Sequence, residues 1–382
     1  MYVIDLLSTV GTSVEESLPV PIVTVRGWSK RINAPGKFVF SIHRNHPSAT
    51  DENLRMWRHV RLFRQPRDGT DEMRSAWYGI MLSKRQVGDR IEVLCHGALT
   101  ILDKRDVSGT FTGGGSDEAF TLLEATNADD GPTGISTGAD GVATTMDVTL
   151  TGVKLSRALD EFAAATGGEY EVDDDAELNF VPSLGEDKSD IIELIFQTNG
   201  DPGSNVTSFE VAEDGEPMAN KIIGTSSASG GLTSEYTHPT SSDTYPVLVE
   251  RKAFNHANDQ ATLDALTEAF GLQRAFPIPD FQAVPATATK KFNPLTGERE
   301  IAGLQYEDVS VGDLVLVTII TPNRNESVVK RILELIVDVD ENLNEQLRFT
   351  LGEAGVFVTE QYLSDATLPD IKRRLQEIEA SL

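Results

Sequence analysis

Trp77-Tyr78-Gly79-Ile80-Met81-Leu82, a turn at Gly88-Asp89, and then Arg90-Ile91-Glu92-Val93-Leu94-Cys95-His96-Gly97 form the stretch that decides the fold. Short runs bounded by Gly, Asp and Asn turns, with apolar residues at alternate positions, mark antiparallel strands with one buried face. Just upstream, Val60-Arg61-Leu62-Phe63 alternates in the same way ahead of a polar loop. The order recurs near the other end of the chain. Gly312-Asp313 precedes Leu314-Val315-Leu316-Val317-Thr318-Ile319-Ile320, a polar loop follows, and then Lys330-Arg331-Ile332-Leu333-Glu334-Leu335-Ile336-Val337. A turn at Asp340-Glu341-Asn342 leads into Glu345-Gln346-Leu347-Arg348-Phe349-Thr350-Leu351-Gly352. The chain reads as carrying one small antiparallel β-barrel twice.

Outward from these repeats, residues 1–106 read as all-β, with Pro19-Val20-Pro21 suiting an edge position. Asp51 to Trp57 suggests a short helical turn. The Gly-, Ser- and Thr-rich segments 112–116 and 127–142 read as loops. Leu155, Leu159, Phe162 and Ala163 recur at helical spacing and Gly167-Gly168 stops that helix. A hairpin turning at Asp173-Asp174-Asp175 comes next, and Asp187 to Phe196 reads as a second helix. Asn220 to Gly224 starts a strand, Thr225 to Ser242 is a polar loop, and a helix from Asn258 to Phe270 ends at Gly271. Phe281 to Lys291 and Glu300 to Leu304 read as strands around the Asn293-Pro294-Leu295-Thr296-Gly297 turn. Leu368, Ile371, Leu375, Ile378 and Leu382 stripe a final helix from Pro369 at coiled-coil spacing, long enough for about two heptads.

The expected fold class is therefore mainly β with α+β parts: two related antiparallel β-barrels plus two smaller mixed α/β domains. The first barrel takes 1–106 and an α+β domain takes 107–207. The second barrel combines 208–248 with 305–357, and a small helical domain combines 249–304 with 358–382.

At 382 residues the chain exceeds one common core, and its 39% hydrophobic share is too high for general disorder. No apolar run approaches a membrane span, and the first residues lack a secretory pattern, so no membrane insertion is expected. The single cysteine, Cys95, reads as a small buried apolar residue. The net charge of -27 repels phosphate, so no specific nucleic-acid binding is expected. Such a surface keeps a protein soluble, adapts it to high salt, or lines a channel past which DNA slides. Adaptation to high salt is favoured, with the channel as a compatible addition.

Candidate chemistry is weak everywhere. His43, His46, His59, His96, His238 and His256 never pair at helical metal spacing. Cys95 and His96 are strand neighbours, so their side chains point to opposite faces and make no nucleophile–base pair. Asp173-Asp174-Asp175 lacks calcium-loop spacing, while Asp129-Asp130-Gly131 through Asp140-Gly141 is the better cation-loop candidate. No nucleophile elbow, zinc-protease helix or phosphate-cradling loop occurs, and no acid pair is marked for glycoside hydrolysis. The expectation is a protein that is not an enzyme, with no catalytic residues, no cofactor and no metal.

The N-terminal module resembles the first barrel of tail hub proteins of tailed viruses, the siphovirus tail-tip hubs and their contractile-tail baseplate relatives. The resemblance rests on Gly36-Lys37-Phe38-Val39-Phe40-Ser41-Ile42, Val60-Arg61-Leu62-Phe63, Trp77-Tyr78-Gly79-Ile80, Ile91 to Gly97, and Leu102-Asp103-Lys104-Arg105. Further on, Leu155 to Ala165, Asn179-Phe180, Ala219 to Gly224 and Gly312-Asp313-Leu314-Val315 fall in a similar order. The resemblance implies a homotrimer whose two barrels per chain form a pseudo-six-fold ring closing the tail tube and opening for the genome. Implied partners are the tail tube or distal adaptor protein, the tape-measure protein and tail fibre proteins. The implied location is the virion tail tip or baseplate, after assembly in the host cytoplasm. Longer hubs carry C-terminal hydrolases or fibres, whereas this chain stops at Leu382, which argues against wall degradation. The alternatives are a receptor- or glycan-binding tail protein, a cell-wall hydrolase, or a hexameric adaptor. The acidic composition suggests a halophilic host.

With 60 acids against 33 bases, self-repulsion fades once the Debye length falls to about 3 Å near molar salt. Thermal melts in rising KCl are expected to shift upward markedly. A melting temperature indifferent to salt would assign the charge to plain solubility.

Overall fold

The computed structural model describes residues 1–353, except 9–10, 12, 20–21, 67–71, 198–203, 228–230, 277, 287–288, 293–298, 303 and 323. The expected final helix and its apolar stripe lie outside the described residues. The fold is mainly β, as the alternation predicted.

The N-terminal module holds β1 (Tyr2–Leu7), β2 (Val14–Pro19), β3 (Val23–Arg31), β4 (Lys37–His43), β5 (His59–Arg64), β6 (Arg74–Val87) and β7 (Arg90–Gly97). The middle block follows with α1 (Leu99–Leu102), β8 (Asp106–Phe111), α2 (Gly115–Asp129), β9 (Ser136–Thr137) and β10 (Val148–Lys154). It continues through α3 (Leu155–Thr166), β11 (Glu169–Val172) and β12 (Glu177–Val181). The chain then runs through β13 (Glu193–Gln197), β14 (Val206–Asp214), β15 (Lys221–Ser226) and β16 (Leu232–Thr237). Next come α4 (Ser241–Thr244), β17 (Val249–Ala253), α5 (Gln260–Arg274), β18 (Ile278–Pro285), β19 (Thr289–Phe292) and β20 (Arg299–Ala302). Last are β21 (Leu314–Thr321), β22 (Arg324–Val339) and β23 (Glu345–Glu353).

Both repeats are present, and they lie in one 13-stranded sheet. The first module runs β1-β5-β6-β7-β4-β3 and the second β13-β21-β22-β23-β18-β14. The two match residue by residue. Met81 lies opposite Cys95 and Cys95 opposite Phe38, just as Ile332 lies opposite Leu351 and Leu351 opposite Phe281. The β6–β7 register shifts between Met81 and Ser83, and the β22–β23 register shifts between Ile332 and Glu334. A bulge at the same place in both copies is a retained design feature rather than a local accident. The modules differ where they begin, since β1 is antiparallel to β5 while β13 is parallel to β21. The second module closes on itself where the Asn205 N–H donates to the Ile195 carbonyl and the Ile195 N–H to the Asn205 side chain.

The domain limits differ from the sequence reading. Lys221–Ser226 leaves the second barrel and forms a three-stranded sheet with β16 and β17 under α5. Its buried alternation faces that helix so closely that a Cβ on Gly224 would stand 2.0 Å from Thr267 Oγ1. Ile278–Pro285, assigned by sequence to the small domain, is instead a barrel strand, because Phe281 takes the position that Phe38 fills in the first copy. The two small domains share a single apolar cluster in which Phe162 and Leu159 meet Leu263 and Leu266.

Individual elements also differ. Gly115–Asp129 is a helix where loops were expected at both its ends, burying Ala119, Leu122 and Leu123. Asp187 to Phe196 is not a helix, since Glu193–Gln197 pairs with β21 as a strand. Its Leu-Ile-Phe run is too short for periodicity to separate the two states. Asp51 to Trp57 forms turns, as the sequence suggested, with the Leu54 N–H donating to the Thr50 carbonyl one helical turn back. Gly271 does not stop α5; it is buried inside it, where a side chain would collide with Tyr236. The expected strand from Phe281 to Lys291 is two strands, β18 and β19.

The modules meet where β3 adds to β22, with Glu334 opposite Arg31 and Asp338 opposite Gly27. Gly27 has φ +157°, and a Cβ there would stand 2.5 Å from the Val337 carbonyl oxygen. Gly27→Ala is therefore expected to destabilise by about 1–3 kcal/mol. Gly215→Ala, with nothing within 4 Å of the added Cβ, should stay within about 0.5 kcal/mol of wild type. Denaturant midpoints measure both, and equal midpoints would contradict the close approach at the joint.

Candidate assembly interface

The residues capable of chemistry are dispersed. Cys95 is fully buried against Phe38, and burial pushes its thiol well above the usual range, while His96 lies on the other side of the strand. His43 is exposed near Asp89, and His238 accepts the Ser241 N–H. His256 lies 2.8 Å from Glu161; burial would raise that carboxyl, but His256 and Arg157 outweigh burial and hold it low. Asp173 is occupied by the N–H groups of Asp175 and Glu177 and by the Asn179 amide, and Asp174 binds Lys30. Asp129 and Asp130 end α2, while Asp140 is exposed beyond β9. Among the described residues no three His, Cys, Asp or Glu side chains converge as a metal site.

Two groups of buried charges instead lie at contacts between structural units. Arg64 Nε donates to Glu345 Oε1 at 2.5 Å and its Nη2 to Oε2 at 2.6 Å, while Glu307 takes a further contact and Tyr2 OH donates to Glu345. This group ties β5 and β1 of the first module to β23 and the turn before β21 in the second. Tyr306 lies in the same contact: its ring meets Trp28 edge-on at 5.6 Å, and its hydroxyl donates to the Ala76 carbonyl at 3.0 Å. The Arg64 guanidinium sits over that ring at 5.2 Å. Such a desolvated ion pair stabilises one relative placement, because losing either partner strands a buried charge at a cost of about 3–5 kcal/mol.

A second charged contact fastens the middle block to the second module. Arg331 forks onto Glu169 and donates to the Gly312 and Leu184 carbonyls at 3.0 and 2.8 Å. Asp313, fully buried, accepts the Glu186 and Ser310 N–H groups and pairs with Lys188 at 2.9 Å. Two clefts, of about 590 and 620 Å³, lie along these contacts, and Arg64, Lys30, Arg331 and Glu169 in their walls are already paired. The arrangement can hold rigid modules in a set relation. Sequence periodicity did not single out any of these ion pairs, because partners such as Arg64 and Glu345 lie 281 positions apart.

The exposed surface is informative chiefly at one strand. β6 continues past β5, and its Ser83 to Val87 end is exposed at all five positions. Of the three tryptophans, Trp28 and Trp77 are buried and only Trp57 is exposed.

No protein-family model matches the chain, and no curated protein matches it in sequence. Solved structures do share its fold. A tail protein from Neisseria meningitidis MC58 has 12% identity and a TM-score of 0.60, over 93% of this chain and 97% of that one. The 43 kDa tail protein of prophage MuSo2 from Shewanella oneidensis has 12% identity and a TM-score of 0.58, over 93% and 99%. A prophage tail protein from Listeria monocytogenes EGD-e has 10% identity and a TM-score of 0.55, over 91% and 94%. The likeness spans nearly the whole length of each chain.

The contact between the first module and the middle block carries a titratable group. His59 Nδ1 lies 2.6 Å from Tyr78 OH, which in turn reaches the Gly134 carbonyl at 3.3 Å. Burial lowers the His59 pKa to about 4. The folded chain therefore holds it neutral while the unfolded chain protonates near 6.5, so its stability is complete above that pH and declines towards pH 4. The difference amounts to up to about 3 kcal/mol. Denaturant midpoints measured from pH 7 to 4 should fall less steeply in His59→Phe than in wild type. Parallel profiles would show that His59 is accessible to protons in the folded state.

Proposed function

We propose that this chain is a structural hub of a viral tail, placed at the tip or baseplate, where it closes the tail tube and opens for the genome. The observation that carries the proposal is the duplicated module joined edge to edge in one sheet, within a fold shared over nearly its whole length by tail proteins. Two like modules per chain let three chains present six similar units, which matches a six-fold tube. The tube or adaptor protein, the tape-measure protein and fibre proteins are the partners this reading implies. An acidic lumen would let DNA pass without adhering, and a charge of -27 suits a halophilic host.

The dispersal of histidines, cysteine and carboxylates supports a non-enzymatic role. Trp28 and Trp77 are buried in the core, so of the three tryptophans only Trp57 is available to a glycan, which favours the hub reading over a glycan-binding one.

Mass measurement of the purified chain in high salt should give about three times the 41.6 kDa protomer. A stable dimer, or a hexamer of chains, would defeat the hub reading. Purified protein should not degrade cell-wall glycan or peptide; turnover abolished by one Asp or Glu substitution would overturn the structural assignment.

A further inference from the structure

The residue-by-residue match between modules identifies two strand edges that the single chain leaves unpaired. Within the chain, β3 adds to the C-terminal half of β22, just beyond the part that β21 covers. The equivalent half of β6 is Ser83 to Val87, beyond the part that β5 covers. Its five residues are exposed, and among the described residues no strand pairs with its edge away from β7. The equivalent of β3 is β14, which ends the sheet and, among the described residues, pairs as a strand only with β18. A long exposed edge normally invites uncontrolled pairing and is covered or interrupted. Here both edges remain open, on the two strands whose counterparts form the internal joint.

We propose that β14 of one copy adds antiparallel to the Ser83–Val87 edge of β6 in a second copy of this chain, repeating between chains the β3–β22 joint within it. The proposal rests on the hub reading and specifies its chain-to-chain contact. Transferring the internal register sets Glu213 opposite Lys84, Val211 opposite Gln86 and Asp214 opposite Ser83. The charges agree with this register. In the internal joint β3 brings Lys30 and Arg31 to a β22 edge carrying Glu334 and Asp338, with Arg31 3.6 Å from Glu334. Between chains the sequence reverses the sense: the β14 backbone register includes Glu210, Glu213 and Asp214, and the β6 edge includes Lys84 and Arg85.

That reversal has a consequence for assembly order. A β3 edge offered to β6 would set Lys30 against Lys84, and β14 offered to β22 would set acid against acid. Like charges opposite one another are destabilising, so the pattern selects alternation of first and second modules. The contact is head-to-tail, a type that generates a ring when its rotation closes. In the single chain Lys84 rests on Asp51 at 2.8 Å and Arg85 on Glu92 at 3.3 Å. Both are exposed pairs of the weak kind that a strand partner displaces readily.

Single-cysteine variants of the full chain test the register. Gln86→Cys mixed with Val211→Cys should oxidise to covalent dimers holding one of each, while neither variant alone should cross-link, Cys95 being buried. The double variant should give a ladder ending at the ring. Lys84→Glu should weaken assembly about tenfold in dilute buffer, and Glu213→Lys added to it should restore assembly. Assembly by mass without mixed-variant cross-links or charge rescue would overturn the edge pairing and leave the hub reading intact. Cross-links ending in a dimer or an open chain would keep the edge pairing and overturn the hub. A chain that stays monomeric in high salt would overturn both.

Discussion

The β3–β22 ladder is the constraint on which the rest of the structure depends. It converts two barrels, each able to bury its own apolar face, into one continuous sheet with a single register between them. Gly27 makes the approach possible, since any side chain at that position would meet the Val337 carbonyl. The Arg64–Glu345–Tyr2 group and the Trp28–Tyr306 contact form one cluster beside the ladder that holds the two modules in place. The apolar core confirms the union: Phe40 and Leu62 of the first module share one cluster with Phe281, Leu335 and Phe349 of the second.

The barrel repeats were legible because alternation between turn residues is local information. Val60 to Gly97 and Leu314 to Gly352 each contain their own three-strand meander, and hairpin neighbours need no distant partner. Assignment of the remaining strands failed where pairing is remote. Ile278–Pro285 joins β23 across the β19–β20 and β21–β22 segments, and nothing within its own sequence separates it from a strand of the small domain. Asp187 to Phe196 reads as helix in sequence because the apolar run that forms the strand Glu193–Gln197 is too short to carry a decisive period. Gly271 shows the opposite trap, a glycine that reads as a helix stop but leaves the space that Tyr236 occupies.

The interface was less legible than the fold. Ser83-Lys84-Arg85-Gln86-Val87 breaks the apolar alternation of its strand, and sequence reading passes over such a segment as solvated. Its two adjacent bases do not mark it either, since Lys30-Arg31, Lys104-Arg105 and Lys330-Arg331 are pairs of the same kind. Only the repeat gives it meaning, by showing that the equivalent residues of β22 hold another strand. Under the proposed edge pairing the excess acid has two roles: a general solvated surface, and a local choice of which edge meets which.

Electron cryomicroscopy of the assembled protein viewed down its axis tests the central claim most directly. The account predicts a three-fold particle with six closely similar modules, joined alternately within and between chains through sheet edges. Six modules supplied by six chains, or a three-fold particle whose modules do not meet through their strand edges, would contradict it.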